Sequence, residues 1–193
     1  MDGSEARKTD GRPLMANGSK TLVAGVGYQH LSDLSFGAVI VERMQEMEWP
    51  EDVQIEDFGW GPISILHWFE ESPGRKFERA IFVVAIERGR EPGKLYIYPW
   101  LADKPDPEIV QERISEALTG VISLENLLII AQHFEALPAD TTVIELEPVE
   151  QEWGSDMGEI GRQRLTETIA WIRTEVHAKP DPNGNGRKEV RNK

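Results

Sequence analysis

The chain has 193 residues, an apolar share of 39% and a charged share of 28%, which suits one soluble globular domain with a real core and leaves too little chain for two. It contains no cysteine, which excludes disulfides, a thiolate nucleophile and a cysteine-based zinc site. The net charge is −13, and with residues 1–19 summing to zero and residues 179–193 to +3 the body between them holds −16, an acidity that repels phosphate backbones and argues against nucleic acid as a partner.

Residues 1–20 are rich in Gly, Ser, Asp and Lys without periodicity, and they lack the apolar core of a secretory signal. Residues 179–193 (KPDPNGNGRKEVRNK) have the same character. Both segments read as disordered tails around a single domain spanning 21–178. No apolar run approaches the roughly 18 residues that cross a bilayer, so no membrane is expected as a partner and the cytoplasm is the expected location.

Between the tails, short β-prone runs alternate with longer helical ones. Thr21–Val26 (TLVAGV) reads as a strand ending in glycines. A helix fits Leu34–Glu48, with Phe36, Val39, Ile40, Met44 and Met47 on one face, and Pro50 closes it. Val53–Phe58 alternates like a strand, and Ile63–Glu70 fits a short helix after Gly61-Pro62. Ala80–Ile86 (AIFVVAI) is the continuous apolar run of a central parallel strand. Lys94–Tyr98 reads as a strand paired to it through the Pro92-Gly93 turn.

Pro107–Leu118 and Ser123–Ala136 read as helices, the second apolar nearly all round and therefore largely buried. Thr142–Leu146 is a strand. The last helix runs from about Gly158 to His177, with Ile160, Leu165, Ile169, Ile172 and Val176 inward. This alternation predicts an α/β three-layer sandwich: a mostly parallel twisted sheet of about five strands with helices on both faces. Ligands in such sheets bind beyond the carboxyl ends of the strands, which singles out the loops after Val26, Phe58, Ile86 and Leu146.

The first of these loops reads GVGYQHLSDLSFG. Gly25 and Gly27 permit a tight turn, but Phe36-Gly37 comes too late for a dinucleotide fingerprint and no basic residue waits for phosphate. His30 and Asp33, three apart, can share a metal or a proton, or Asp33 can cap the following helix. In EDFGWGP, Asp57 with its glycines either lets the backbone approach a ligand or forms a glycine turn with solvated acids. Glu87 follows the third strand directly, and Arg88 can pair with it. Glu145, Glu147, Glu150 and Glu152 crowd the last loop and call for something positive: an arginine, a metal or a basic peptide. The sequence has no Gly-x-Ser-x-Gly elbow, no His-Glu-x-x-His helix and four scattered histidines.

The order of these motifs resembles the hydrogenase maturation endopeptidases, which trim the C-terminus of nickel–iron hydrogenase large subunits. Gly25, Gly27, Asp33 and Gly37 follow the spacing of that family's first loop. Asp57-Phe58-Gly59-Trp60 stands at its Asp-Gly-Gly-Thr turn, and Pro92-Gly93 at its Pro-Gly turn. Leu146-Glu147-Pro148 followed by Glu152-Trp153-Gly154 is the most specific match, and the resemblance covers roughly residues 20–178. It implies a phosphorylase/hydrolase-like sandwich and, as partner, a nickel–iron hydrogenase large subunit or its precursor, which delivers the nickel.

The same resemblance implies three nickel ligands: an acid in the first loop, an Asp ending the third strand and a His before the long buried helix. Aligned by motif, these positions are Leu34, Val84 and Gly120, and the family's Asn after Gly-x-Gly is Tyr28. Leucine, valine and glycine offer a metal no side-chain lone pair. The family's metal site is therefore expected to be absent, with no metal or cofactor held by the chain itself and any nickel carried by the partner. His30, Asp33, Asp57, Glu87 and Glu147 are the candidate cleft residues, and His30, Asp33 and Glu87 the candidate substitute ligands. Two functions follow: a binding protein for the hydrogenase subunit, with Trp60, Trp68 and Trp153 exposed at the interface, or a divergent endopeptidase using the surviving acids.

Overall fold

The computed structural model describes residues 21–70, 77–101, 104–154, 156–179 and 190–191. The expected tail over 1–20 lies outside the described residues, as does most of that over 179–193. Five strands follow the predicted order: β1 (Thr21–Gly25), β2 (Val53–Asp57), β3 (Arg79–Ala85), β4 (Leu95–Pro99) and β5 (Asp140–Leu146). The helices are α1 (Phe36–Gln45), α2 (Pro62–Glu70), α3 (Pro107–Ala117), α4 (Leu124–His133) and α5 (Glu159–Val176).

The sheet order is β2-β1-β3-β5-β4, extended at the β4 edge by β6 (Val190–Arg191). β1, β2, β3 and β5 run parallel, so their carboxyl ends open on one side. β3 is buried along its whole length because β1 and β5 flank it and helices cover both faces. β4 corrects the expected pairing: it lies antiparallel to β5, not to β3, with Leu95 opposite Leu146. The Pro92-Gly93 turn thus carries the chain past β5 to the outer edge. β6 pairs antiparallel with β4 at Tyr96–Arg191 and Ile97–Val190, a sixth strand in a stretch for which the sequence predicts no ordered element.

The strand alternation sorts side chains onto two faces. Val23, Ile81, Val83, Ile144 and Leu146 meet α1 and α5. Leu22, Ala24, Phe82, Val84 and Val143 meet α2 and α4. α3 closes the second face through Ala117, which packs with Leu66 and Ile130. Phe36, Ile40 and Met44 are buried as the helical spacing predicts. Ile160, expected inward, is 43% exposed because it sits in the first turn of α5, beyond the end of the sheet. Trp68 is a core residue, 7% exposed and stacked on Phe77 at 6.1 Å, so it is not an interface tryptophan. Among the described residues no helix is long and apolar enough to cross a membrane.

Two features fix the ends of the layers. α1 starts directly on β1: a Cβ at Gly25 would lie 1.9 Å from the Gly37 carbonyl oxygen, and one at Gly37 would lie 2.2 Å from that of Val26. Backbone meets backbone there, so neither position has room for a side chain. At the opposite end of the sheet, fully buried Arg79 donates to Asp140 at 2.8 Å and to the carbonyls of Glu175, Ala178 and Lys179. A guanidinium placed on the Glu175 carbonyl, in the last turn of α5, and on two carbonyls just beyond it satisfies groups that the helix end leaves unpaired and complements its dipole.

Candidate functional site

The loop after β1 and the loop after β5 are bonded to each other along their length. The Asp33 carboxylate, 1% exposed, accepts from the N–H groups of Val149 at 2.9 Å, Glu150 at 3.1 Å and Gly158 at 3.0 Å. The Asp33 N–H donates to the Glu150 carbonyl, the Ser32 hydroxyl to that of Glu152, and the Gly154 N–H to that of His30. Asp33 therefore does not cap α1. It caps α5, a helix more than a hundred residues later, through the N–H of its N-cap residue Gly158. Gly161 makes the room: a Cβ there would sit 2.4 Å from Asp33 Oδ1. The local spacing did not reveal this partner, and the pair Gly158–Gly161 at the start of α5 was the signal available.

The first loop is conformationally unusual as well as bonded. His30 and Ser32 hold φ of 59° and 44°, a region that side chains disfavour and that only surrounding contacts maintain. His30 is exposed and faces a groove of about 250 Å³ shared with Gln29, Glu42 and Asp156. Asp33 does not line that groove. The two residues that shared three positions of sequence are thus turned to different tasks.

Two of the crowded glutamates, Glu145 near the end of β5 and Glu147 just after it, find arginines. Glu145, 1% exposed, accepts from Arg88 Nη2 at 2.8 Å, Arg90 Nη2 at 2.8 Å and the Tyr98 hydroxyl at 2.6 Å. Glu147 accepts from Arg90 Nε at 3.0 Å and from the Arg88 N–H at 2.8 Å. Arg88 thus pairs with Glu145 rather than with its neighbour Glu87. Arg90, to which no motif in the sequence points, also lies over the Tyr96 ring at 3.8 Å. The backbone of Glu147 is equally committed, bonding Gly93 at 2.7 Å and Lys94 at 3.0 Å.

Burial pushes the Glu145 carboxyl up, but the hydrogen bonds from Arg88 and Tyr98, with the charge of Arg88, outweigh it and hold the group below the ordinary carboxylate range. Burial acts the same way on Glu147, where Arg90 and the loop N–H groups outweigh it. Burial, and then the bond to Glu145, push the Tyr98 phenol well up. This is a paired network with its charges already matched, and no acid in it is left for a metal.

The remaining candidates are dispersed. Asp57 Oδ1 accepts from the Gly59 N–H at 2.8 Å, and the Trp60 indole donates to the Asp57 carbonyl, so this segment is a glycine turn. Glu87 is exposed. Leu34 packs against the α1–α5 core. Val84, 4% exposed, belongs to the opposite core and lies in register with Glu145. Gly120 makes a turn with φ of 83° in the exposed α3–α4 loop. Tyr28 bridges this loop to the first: its hydroxyl accepts from the Ile122 N–H at 3.0 Å. Among the described residues no group of three His, Asp or Glu is placed to hold a metal ion. His30, Asp33 and Glu87 accordingly do not assemble a substitute site, and Leu34, Val84 and Gly120 do not fit nickel.

No protein-family model matches the chain, and no curated protein matches it in sequence. Solved structures do. The chain is similar to the nickel–iron hydrogenase maturation protease HycI of Thermococcus kodakarensis KOD1, with 20% identity over 83% of this chain and 94% of that one, at a TM-score of 0.61. It is similar to the hydrogenase maturating endopeptidase HybD of E. coli, with 20% identity over 89% and 97% of the two chains, at a TM-score of 0.59. An endopeptidase from Escherichia coli matches with the same identity and coverage at a TM-score of 0.62. The chain therefore has the α/β fold of the hydrogenase maturation proteases, as the motif order implies.

Two outcomes test this geometry. Asp33→Ala strands three N–H groups in a buried loop and is expected to cost about 3 kcal/mol or more of unfolding free energy in denaturant titrations, with faster amide exchange over residues 147–158. A cost below about 1 kcal/mol would contradict the role given to the carboxylate. Glu145 and Glu147 titrate lower folded than unfolded, so their contribution is complete above the unfolded value of about 4.3 and is lost as pH falls below it, through the folded values. Glu145→Gln is expected to be less stable at neutral pH and to lose less stability on acidification through that window; parallel acid limbs for the two proteins would contradict it.

Proposed function

We propose that this chain acts in maturation or assembly of a nickel–iron hydrogenase by binding the large subunit or its precursor, without the nickel-dependent cleavage of the proteases whose fold it has. The carrying observation is the state of the carboxyl end of the sheet. The three positions that the motif alignment assigns to nickel ligands hold Leu34, Val84 and Gly120. Tyr28 bonds across from the first loop to Ile122, two residues after Gly120. Of the candidate acids, Asp33 is engaged by three backbone N–H groups and Glu147 by Arg90 and the Arg88 N–H, while Glu87 stands exposed and apart from them.

A metal brought by the partner is cargo in this reading, and the chain contributes shape and charge rather than a Lewis acid. A divergent endopeptidase working through Asp33 and Glu87 would need Asp33 to give up its loop contacts, which leaves buried donors unpaired.

The experiment is to incubate the purified full chain with nickel-loaded large-subunit precursor and to follow complex formation by sedimentation and C-terminal trimming by intact mass. The expected result is a stable complex and an unchanged precursor mass. Loss of the C-terminal segment, abolished by Glu87→Ala, would establish the endopeptidase instead; absence of a complex would overturn the binding reading.

A further inference from the structure

We infer that the rim at the carboxyl end of the sheet is a docking surface for an extended polypeptide segment that carries basic and apolar side chains together. The inference takes the hydrogenase subunit as partner from the proposed function, while the surface and its chemistry stand on the following contacts.

Nine large hydrophobic side chains are exposed among the described residues, and six of them, Tyr28, Leu118, Val121, Val149, Trp153 and Ile160, occupy the loops and helix ends at this rim. Soluble surfaces scatter such residues singly, and a concentration of them marks an interface. Contacts within and between these loops hold them at one end of the sheet. The Tyr28 hydroxyl is bonded to Ile122, beside Val121. Trp153 stands between Glu152, whose carbonyl accepts from Ser32, and Gly154, whose N–H donates to His30. Val149 and Ile160 stand over Gly93, where a Cβ would lie 3.2 Å and 2.6 Å from their methyl groups. Trp153 is 78% exposed although its backbone is fixed on both sides. A rigidly mounted indole turned to solvent is the kind of side chain that anchors a partner.

Charge sets the occupant. Residues 148–161 contain Glu150, Glu152, Asp156 and Glu159 and no lysine or arginine. Residues 21–42 likewise contain none. Arg88 and Arg90, beside this rim, are matched by Glu145 and Glu147. Lys94 and Arg164, beside Gly93, pair with Glu91 and Glu167, and among the described residues Arg162 alone adds a cation at the start of α5. The formal charge beside these apolar side chains is therefore net negative, which favours basic segments over acidic ones, nucleic acid and anionic lipid.

The test is fluorescence anisotropy of a labelled synthetic peptide of alternating Arg and Leu, with an alternating Glu and Leu control, against the full chain. Saturable binding of the basic peptide alone is expected, weakened about 10-fold or more by Trp153→Ala. Leu118→Ser is expected to weaken it too, and Glu150→Gln with Glu152→Gln to reduce its salt dependence. Melting curves of the variants check that these exposed substitutions leave the fold intact. Equal affinity in wild type and both apolar variants, or equal binding of the acidic peptide, overturns the proposal. So does self-association of the chain that Trp153→Ala abolishes, or tighter capture of a peptide copying residues 179–193, since either assigns the rim to this protein's own sequence. Large-subunit precursor binding both wild type and Trp153→Ala equally removes the docking surface but leaves the hydrogenase reading standing. Trp153-dependent peptide binding with no precursor binding removes the hydrogenase reading and leaves the surface.

Discussion

A single buried carboxylate, that of Asp33, holds the functional end of this fold in place. It satisfies three N–H groups of the loop that joins β5 to α5, one of them on the residue from which α5 starts. A bare loop of that length would leave those donors to water and its own position undetermined. At the other end of α5, Arg79 does the complementary work on the Glu175 carbonyl and two just beyond the helix. The helix is thus fixed at each end by a buried side chain of the sign its dipole favours. The contact between the first loop and the β5–α5 loop, including the Ser32 and His30 bonds that flank Trp153, is centred on the Asp33 end of that arrangement.

The motif residues and the three aligned ligand positions play different parts in this fold. Gly25 and Gly37 are a backbone contact, Asp33 is a loop tie, and the Glu147 backbone bonds Gly93 and Lys94 at the end of the Pro92-Gly93 turn. Each is needed to close the sandwich, whatever happens in it. Leu34, Val84 and Gly120 contribute no side-chain polar contact: the first two add to the cores on opposite faces of the sheet, and the third makes a turn. None of the three offers a metal a side-chain lone pair.

Much of the fold was legible in the residues because local pattern and global burial agree. AIFVVA has no polar side and so is central; the α1 stripe Phe36, Ile40, Met44 faces the sheet as its spacing requires. What escaped were partnerships between distant segments. β4 after a Pro-Gly turn looks like the second arm of a hairpin, and only the two-sided burial of β3 between β1 and β5 sends it to the far side of β5. Asp33 looks like a cap for the helix it precedes, and its real partner lies at Gly158. The glutamates after β5 announced a positive partner, and Arg88 and Arg90 filled the role where a metal or a peptide would have done so equally on charge alone. Trp68 carried no local sign of burial until Phe77 was brought against it.

The proposed function has the chain hold a partner and leaves any nickel to that partner. Isothermal titration of nickel into the purified full chain, at neutral pH and without the hydrogenase subunit, tests this most directly. The expected result is no stoichiometric binding. One equivalent of nickel bound at micromolar affinity or tighter, and lost on changing His30 or Glu87, would show a metal centre assembled from side chains that the structure keeps apart, and would contradict it.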